Sequence, residues 1–532
     1  MSPVAVDNCV KPAETLQEHA SSDAGWSLRH LPKDRTMAPP STAPSPPPST
    51  YRTGRMIAIT GAVVGVVYGY DTGSISGALV FLSKDFDLSA GQSGFVNSIL
   101  VLGNILGALI AGRLTDALGR KPTMVIVAAA YAVFSALSAL SPTVVVLDLV
   151  RFLLGVTIGI SIVAAPLFIA ESTPARLRGA AVASYQVACV AGITLTYFIN
   201  WGLSGGGHWR IMLGLAAIPS ALVVVPLLRL PDSPRWYLLK GRTDEAARVM
   251  AATDPDVDPV AESAAIQREL AAERGRGGSL GQMIRRPFLR ATVFVIGMGF
   301  FCQITGINAV TYYSPQIFET LGFHGDGQNF LLPAIVELIS LVATVLALFV
   351  VDRLGRRVVL LSGISTMLGM LVVLAVVFGT HSLSGTGIWI GFGAIALFTA
   401  AFNFGFGALI WVYASEAFPA RLRSLGASVM LTADLAANFL VAQFFPSVLE
   451  ELGATSAFGG FAVLVLIALV FMARMAPETK GRQLEEIRGF WQNGGRWPDS
   501  VPAGSATGGL AAGGGDVSLG TGIATSEKHP RS

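Results

Sequence analysis

Long apolar runs alternate with short polar breaks through most of this chain. A run of 18 or more apolar residues without charge predicts a helix that crosses a membrane, because about 20 residues at 1.5 Å each span the hydrocarbon core. The runs at 122–140, 358–379 and 456–472 meet this test without exception. Runs with one or two polar or charged residues bring the predicted spans to twelve, at about 56–82, 93–113, 122–141, 145–171, 179–203, 209–229, 290–314, 329–351, 357–379, 388–414, 424–446 and 456–474. The pattern predicts an all-α membrane protein.

Two motifs occur twice along the chain at nearly the same separation. The octet Glu-Ser-Thr-Pro-Ala-Arg-Leu-Arg begins at Glu171, and a similar octet begins at Glu416. The hexapeptide Asp-Ala-Leu-Gly-Arg-Lys begins at Asp116, and a similar one begins at Asp352. Each motif follows an apolar run, so the sequence predicts two pseudo-symmetric bundles of six spans. Secondary transporters build a binding site between duplicated bundles in this way.

The repeat and the composition divide the chain into five predicted regions. Residues 1–54 are polar and end in a proline-rich stretch, which predicts a disordered cytoplasmic arm. Residues 55–230 and 290–475 are the two six-helix bundles. Residues 231–289 are charged and show helical patterns, which predicts a cytoplasmic helical linker domain. Residues 476–532 form a cytoplasmic tail.

Composition and charge agree with a membrane protein. Hydrophobic residues make up 52% of the chain and charged residues 13%, against about 25% charged residues in an average soluble domain. Basic residues concentrate in the loops after predicted spans 2, 4, 8 and 10, and such loops face the cytoplasm. We therefore expect a multi-pass protein of the cell (plasma or inner) membrane with both termini inside. The net charge of +3 reflects this orientation and indicates no nucleic-acid partner.

Several other function classes lack their sequence signals. The six histidines lie in tails or outer loops, for example His208, His324 and His381, so the sequence shows no catalytic triad and no metal site. No GxxxxGK[ST] loop is present to cradle the phosphates of ATP. We expect no enzyme activity and no cofactor, with the proton as coupling ion.

Six motifs together carry a resemblance to a known family. They are Gly69-Tyr70-Asp71-Thr72-Gly73; Gly112 to Arg120; Arg151 with Gly155 and Gly159; Pro231-Asp232-Ser233-Pro234-Arg235-Trp236; Gln303-Ile304-Thr305-Gly306-Ile307-Asn308 with Tyr312-Tyr313; and Pro477-Glu478-Thr479-Lys480-Gly481. Over residues 56–490 the chain resembles the sugar porters of the major facilitator superfamily. The resemblance implies a fold of twelve transmembrane helices that imports a hexose, pentose or inositol-type polyol by alternating access, in the lipid bilayer, as a monomer.

Two charged residues lie within predicted spans. Asp71 is about fifteen residues into span 1, and Arg151 is in the first third of span 4. A charge at mid-membrane costs about 2.5–3.5 kcal/mol on insertion scales, so it usually faces a cavity and has a partner. The resemblance pairs these two residues and implies that Asp71 couples transport to a proton. The alternative is a static ion pair that holds two helices together.

A second set of residues has the chemistry for sugar recognition. Planar amides bind several hydroxyl groups, and an aromatic face packs against the C–H side of a sugar ring. The resemblance implies substrate contacts for Gln186, Gln303, Asn308, Trp411 and Asn438, and closure of the outer side by Tyr312 and Tyr313. Such amides also serve as hydrogen-bond links between membrane helices, and such tyrosines as interface anchors.

The chain also departs from the family pattern. Cys302, Ser340 and Leu435 stand where the family often has glutamine, asparagine and tryptophan. Two additional acids share helix faces with neighbouring polar residues: Glu337 with Ser340, and Asp434 with Asn438. They indicate either a cavity rebuilt for a different sugar or polyol, or a second protonation site. The alternative places Glu337 in water near the outer mouth and bonds Asp434 to a neighbouring helix.

The repeated motifs predict a cytoplasmic gate. Acidic and basic residues at the helix ends can bridge the two halves when the carrier faces outward and separate when it opens inward. Cytoplasmic loops attract arginines in any case, but this preference explains neither the acids nor their fixed spacing. The predicted gate residues are Asp116, Arg120, Glu171, Arg176, Arg178, Asp352, Arg356, Arg357, Glu416, Arg421 and Arg423.

Three functions remain open at the level of sequence. Proton symport of a monosaccharide or polyol is the first. Facilitated diffusion by the same fold is the second, since some uniporters of the family also carry an aspartate at the position of Asp71. A sugar sensor that transports nothing and signals through its tails is the third, although the tails show no recognisable motif.

Overall fold

The computed structural model describes residues 52–174, 176–254, 257–274 and 279–497. The regular structure of these residues is helical. The helices are α1 Arg52–Asp85, α2 Ala90–Leu118, α3 Arg120–Leu140, α4 Val144–Ser172, α5 Arg178–Ser204, α6 Trp209–Gly214, α7 Ala217–Arg229, α8 Pro234–Leu239, α9 Thr243–Thr253, α10 Pro259–Arg274, α11 Leu280–Met283, α12 Leu289–Ile304, α13 Ile307–Leu321, α14 Asp326–Leu354, α15 Arg356–Gly379, α16 Thr386–Phe402, a π-helical turn Asn403–Gly407, α17 Ala408–Glu416, α18 Ala420–Met475 and α19 Leu484–Gln492.

The long helices supply twelve membrane spans. Ten helical segments of the described chain are long and apolar enough to cross a membrane. One of them, Leu422–Met475, has 54 residues, which would measure about 80 Å if straight. It turns instead at Gly453, where φ is 76°, so α18 supplies two spans, and α1 completes the set. The predicted all-α architecture of twelve spans is confirmed.

Some of the spans are not continuous helices. The span predicted at 290–314 consists of α12 and α13, which separate at Thr305 and Gly306. Gly306 has a φ of 94°, a left-handed conformation that glycine adopts without strain. The span predicted at 388–414 contains the π-helical turn, a feature often found at functional sites. Discontinuous helices of this kind line the binding sites of many transporters.

The helices form two halves, α1–α7 and α12–α18. Helix α2 packs against α18, α5 packs against α14, and α1 packs against α13, so these three helix pairs join the halves. Large apolar side chains such as Leu109, Leu222 and Phe349 are about two-thirds exposed, as expected for a surface that faces lipid. Along the chain, α8–α11 lie between the two halves. Helices α9 and α10 coincide with the helical patterns of the linker sequence. The predicted arm up to residue 51 and the tail from 498 lie outside the described residues.

Candidate functional site

A polar cavity lies beside Asp71 in the first half. Its lining residues are Tyr68, Asp71, Thr72, Ile75, Asn97, Leu100, Asn104, Arg151 and Tyr312. Asp71 is 5% exposed and Arg151 is 1% exposed. Tyr312 comes from the second half, so the cavity lies where the two halves meet. The structure thus brings together the two intramembrane charges that the sequence singled out.

The close contact between α2 and α4 positions Arg151. A Cβ at Gly155 of α4 would overlap the carbonyl oxygen of Leu100 in α2, so only glycine permits this approach. Arg151 and Val96 lie four residues earlier in their helices, and the Nε of Arg151 donates to the carbonyl oxygen of Val96 at 2.8 Å. The Nη1 atom of Arg151 has no hydrogen-bond partner among the described residues.

Asp71 and Arg151 do not form a direct ion pair. The carboxylate oxygens of Asp71 lie more than 4.0 Å from the guanidinium nitrogens of Arg151, and the ion pairs of the described residues do not include Asp71. Tyr131 lies beside the carboxylate, and its hydroxyl donates to the carbonyl oxygen of Val67 at 3.2 Å. The two charges therefore share one cavity without a static bridge between them.

A second polar cluster lies in the other half and contains Cys302, Gln303, Asn308 and Asp434; we call it the amide–carboxylate cluster. The Nδ2 of Asn308 donates to the Oε1 of Gln303 at 2.6 Å. The Nε2 of Gln303 donates in turn to Oδ2 of Asp434 at 3.2 Å. The break at Gly306 makes the first contact possible, because residues five apart on a continuous helix point in different directions.

Helix α12 approaches α18 closely just before this cluster. A Cβ at Gly299 would overlap the carbonyl oxygen of Met430 and lie 3.2 Å from the backbone nitrogen of Asp434. Cys302 and Gln303 follow one turn later and therefore face Asp434. The thiol of Cys302 lies beside the carboxylate and interacts with it electrostatically. The cluster thus results from one small residue and one helix break.

Tyr312 lies beside both polar regions, because it lines the cavity of Asp71 and interacts electrostatically with Asp434. Its hydroxyl accepts a hydrogen bond from Nδ2 of Asn438 at 3.2 Å, and its side chain lines the cavity of Asp71. Asn438 is buried, and its Oδ1 has no partner in the part of the chain that the structure describes. A hydroxyl-bearing substrate could supply the missing donor.

The remaining predicted substrate residues are not joined to these clusters. Tyr313 is buried and donates to the carbonyl oxygen of Ala442 at 2.6 Å. Gln186 is half-buried on α5, and Trp411 on α17 is 42% exposed. Neither makes a hydrogen bond or ring contact to the cluster within the described residues. Their substrate role, and closure of the outer side by the tyrosines, stay predictions.

The two acids that depart from the family pattern are both buried. Asp434 is 9% exposed and bonds Gln303. Glu337 is 4% exposed, so the alternative that placed it in water is wrong. The backbone oxygen of Glu337 accepts from Thr194 of the other half at 3.1 Å, and Ser340 is buried with a hydroxyl that finds no partner among the described residues.

The predicted gate residues lie at what we call the basic end, the end of the molecule formed by the loops after α2, α4, α14 and α17. Arg120 pairs with Asp116 and with Glu171, at 2.9 Å in each case. Arg356 pairs with Asp352 at 2.9 Å in the second half.

The contacts described for the remaining gate residues lie within one half or reach the linker. Arg176 pairs with Asp254 of the linker at 3.7 Å. The Nη2 of Arg357 donates to the carbonyl oxygen of Ala473 in its own half at 2.6 Å. The ion pairs of the described residues do not include Arg178, Glu416 or Arg423, and the side chain of Arg421 is not described. Bridging by these residues in another state stays a prediction.

Two acids that belong to the family motifs have a symmetric structural role, which was not predicted from the sequence. Asp232 accepts from the backbone nitrogens of Arg120 and Lys121, both at 3.0 Å. Glu478 accepts from the nitrogens of Arg356 and Arg357, at 3.0 and 3.1 Å. Each acid follows the last span of its half and caps the third span. Their separation nearly equals that of the octets, and this was the signal that could have identified them.

The environment of Asp232 changes its acidity. Burial raises the pKa of this carboxyl, while the hydrogen bonds from backbone nitrogens oppose that rise. Its Oδ2 has no partner among the described residues. The cap is therefore held mainly by Oδ1.

Hydrogen bonds that cross between the halves lie from the middle of the molecule toward the end opposite the basic end. Ser98 donates to Oε1 of Gln443 at 2.6 Å, and Gln443 donates to the carbonyl oxygen of Gly91 at 3.2 Å. The hydroxyl of Tyr197 donates to the carbonyl oxygen of Thr311. Phe81 and Phe330 stack across the same boundary at 5.6 Å. The described ion pairs at the basic end, by contrast, stay within their own half or reach the linker.

Comparison with known proteins gives one consistent result. Residues 57–491 match the family model described as "Sugar (and other) transporter". The chain is 32% identical over 446 residues to the arabinose-proton symporter of Bacillus subtilis (strain 168), covering 82% of this chain and 94% of that protein. It is 31% identical over 522 residues to Myo-inositol transporter 1 of Candida albicans (strain SC5314 / ATCC MYA-2876), covering 93% of each. A partially occluded inward open conformation of the xylose transporter XylE from E. coli matches with a TM-score of 0.71 and 25% identity, covering 81% of this chain and 100% of that chain.

Proposed function

Because the chain belongs to the sugar transporter family, we propose that it imports a monosaccharide or polyol by proton symport. Asp71 is the proton-binding residue, and Arg151 is the counter-charge that controls it. Gln186, Gln303, Asn308, Trp411 and Asn438 bind the sugar. The basic end faces the cytoplasm, in the orientation that its arginines favour.

The observation that supports this proposal best is the unbridged pair of buried charges. A carboxylate removed from water is stabilised either by a cation or by a proton. Arg151 is engaged with the carbonyl oxygen of Val96 and is not bridged to Asp71. Movement of Arg151 toward or away from Asp71 as the halves rock would then bind and release one proton per cycle.

One proton per cycle is enough to concentrate a sugar. A proton that moves down 100 mV supplies about 2.3 kcal/mol. At about 1.4 kcal/mol for each tenfold change, this corresponds to roughly fifty-fold accumulation. One relative is named as an arabinose-proton symporter, which agrees with this coupling.

A transport assay separates the three functions that the sequence left open. Labelled D-xylose, L-arabinose, D-glucose and myo-inositol are offered to a transport-deficient host, with and without a protonophore. Symport predicts accumulation that the protonophore abolishes. Equilibration that the protonophore does not change would identify a facilitator, and absence of flux for the whole panel would favour a sensor.

A further inference from the structure

Asp434 is a buried acid, and no positive charge lies beside it among the described residues. It is 9% exposed, and the ion pairs of the described residues do not include it. The groups that interact with its carboxylate are the amide of Gln303 and the thiol of Cys302. A carboxylate removed from water without a cation is costly, and a bound proton removes that cost.

The titratable groups around Asp434 supply no base or cation either. Cys302 faces it from α12, Tyr312 from α13 and Tyr68 from α1. Helix α2 presents the apolar side chain of Val101 to this part of α18.

Two further helices pack on α18 without placing a charge near Asp434. On α15 the titratable residues are Arg356 and Arg357, at its start. On α17 they are Tyr413 and Glu416, and Tyr413 bonds the carbonyl oxygen of Pro477 at the basic end.

The hydrogen bonds of the amide–carboxylate cluster have a defined direction. Asn308 donates to Gln303, and Gln303 donates to Asp434. An ionised carboxylate only accepts hydrogen bonds, whereas a protonated carboxyl also donates one. If Asp434 donates to Gln303, the amide of Gln303 must turn its oxygen toward α18. Gln303 then presents its Nε2 to Asn308, which accepts through its Oδ1 and offers its Nδ2 to the sugar in place of its Oδ1.

We propose that Asp434 is a second proton-binding site, and that its proton reverses the hydrogen bonds through Gln303 and Asn308. The donors and acceptors offered to the sugar then differ between the two protonation states. Sugar affinity and proton binding at Asp434 are therefore linked, and the linkage acts in both directions. This inference rests on the proposed function in one respect only, namely that Gln303 and Asn308 contact the sugar.

The experiment removes Asp71 first, so that its proton cannot contribute. Three variants are reconstituted as full chains in liposomes: Asp71→Asn, Asp71→Asn/Asp434→Asn, and the matched control Asp71→Asn/Glu337→Gln. Counterflow of D-xylose, D-glucose and myo-inositol is measured at acidic and alkaline pH. In Asp71→Asn we expect the half-saturation concentration for sugar to differ about five-fold or more between acidic and alkaline pH. In the Asp71→Asn/Asp434→Asn variant it should be the same at both pH values. In the Glu337 control it should differ as it does in Asp71→Asn.

A second measurement needs no sugar. Infrared difference spectra between acidic and alkaline pH are recorded on the solubilised Asp71→Asn carrier and on its Asp434→Asn double variant. The signal of one protonated carboxyl group should disappear in the double variant. In a Gln303→Leu variant of the same background that signal should persist, while the pH dependence of counterflow is lost.

Different outcomes contradict different claims. A flat pH profile in Asp71→Asn, or identical infrared spectra with and without Asp434, overturns the second proton site. The same holds if the Glu337 control, not the Asp434 variant, abolishes the pH dependence. If Asp71→Asn still accumulates sugar, the proposed coupling through Asp71 fails, and the infrared result alone decides on Asp434.

Discussion

At the scale of single residues, Asp71 and Arg151 share a cavity although no bond joins them. A charged side chain in a membrane span costs free energy and is therefore rare, so both residues could be identified from the sequence. Their neighbours Asn97, Asn104 and Tyr131 were not predicted, because uncharged polar residues are common in membrane helices and carry no comparable signal. Likewise, the helical spacing placed Asp434 on one face with Asn438, but its contact with Gln303 depends on tertiary packing and was not predicted.

Replacement of Asp71 by asparagine tests the coupling residue. An amide has a similar shape but does not bind and release a proton near neutral pH. We expect Asp71→Asn to abolish concentrative uptake and to preserve exchange of labelled for unlabelled sugar across liposomes. Asp85→Asn is the matched control, because Asp85 lies at the end of the same helix and bonds the indole nitrogen of Trp209 at 2.6 Å. Normal accumulation by Asp71→Asn would remove this residue from the mechanism.

At the scale of elements, the sequence predicted where helices lie better than where they break. The apolar run at 290–314 predicts one span, and a single glycine does not reveal that the helix stops at Thr305. The pairing of Gln303 with Asn308 depends on that stop. The π-helical turn at Asn403–Gly407 could not be predicted either, because the apolar run continues through it.

The two capping acids allow a prediction about helix stability. Asp232 and Glu478 each accept two backbone N–H groups at the start of a long helix. Replacement of a capping residue by alanine typically costs about 0.5–2 kcal/mol. We expect Asp232→Ala and Glu478→Ala to lower the melting temperature of the solubilised protein by similar amounts. Asp232→Asn keeps an oxygen at the cap and should change it less.

The outcome that contradicts this symmetry is equally clear. If only one alanine variant lowers the melting temperature, the two caps do not have equivalent roles. If Asp232→Asn is as destabilising as Asp232→Ala, the negative charge and not the oxygen acceptor holds the start of α3. Thermal unfolding followed by tryptophan fluorescence measures all four proteins under one condition.

At the scale of the whole molecule, the repeated motifs were enough to predict two halves. They could not predict which end of the molecule would hold the halves together, because one sequence supports both states of an alternating-access cycle. In this structure Gln443 joins the halves toward one end, and the described ion pairs of the basic end stay within one half or reach the linker. The gate predicted for Arg120 and Arg356 would form in the other state.

Gln443 is one of the residues that stabilise the present state. Its side chain accepts from Ser98 and donates to the carbonyl oxygen of Gly91, and both bonds cross between the halves in this arrangement. A net hydrogen bond contributes about 0.5–1.5 kcal/mol, so loss of both bonds in Gln443→Ala should shift the equilibrium toward the opposite arrangement by roughly five- to 150-fold. Distances between spin labels placed at each end of the two halves measure that shift. Gln92→Ala is the control, because it removes only the bond from the backbone nitrogen of Ser89 at the start of α2. It should leave the distances unchanged. An equal shift in both variants would mean that Gln443 has no special role at the interface.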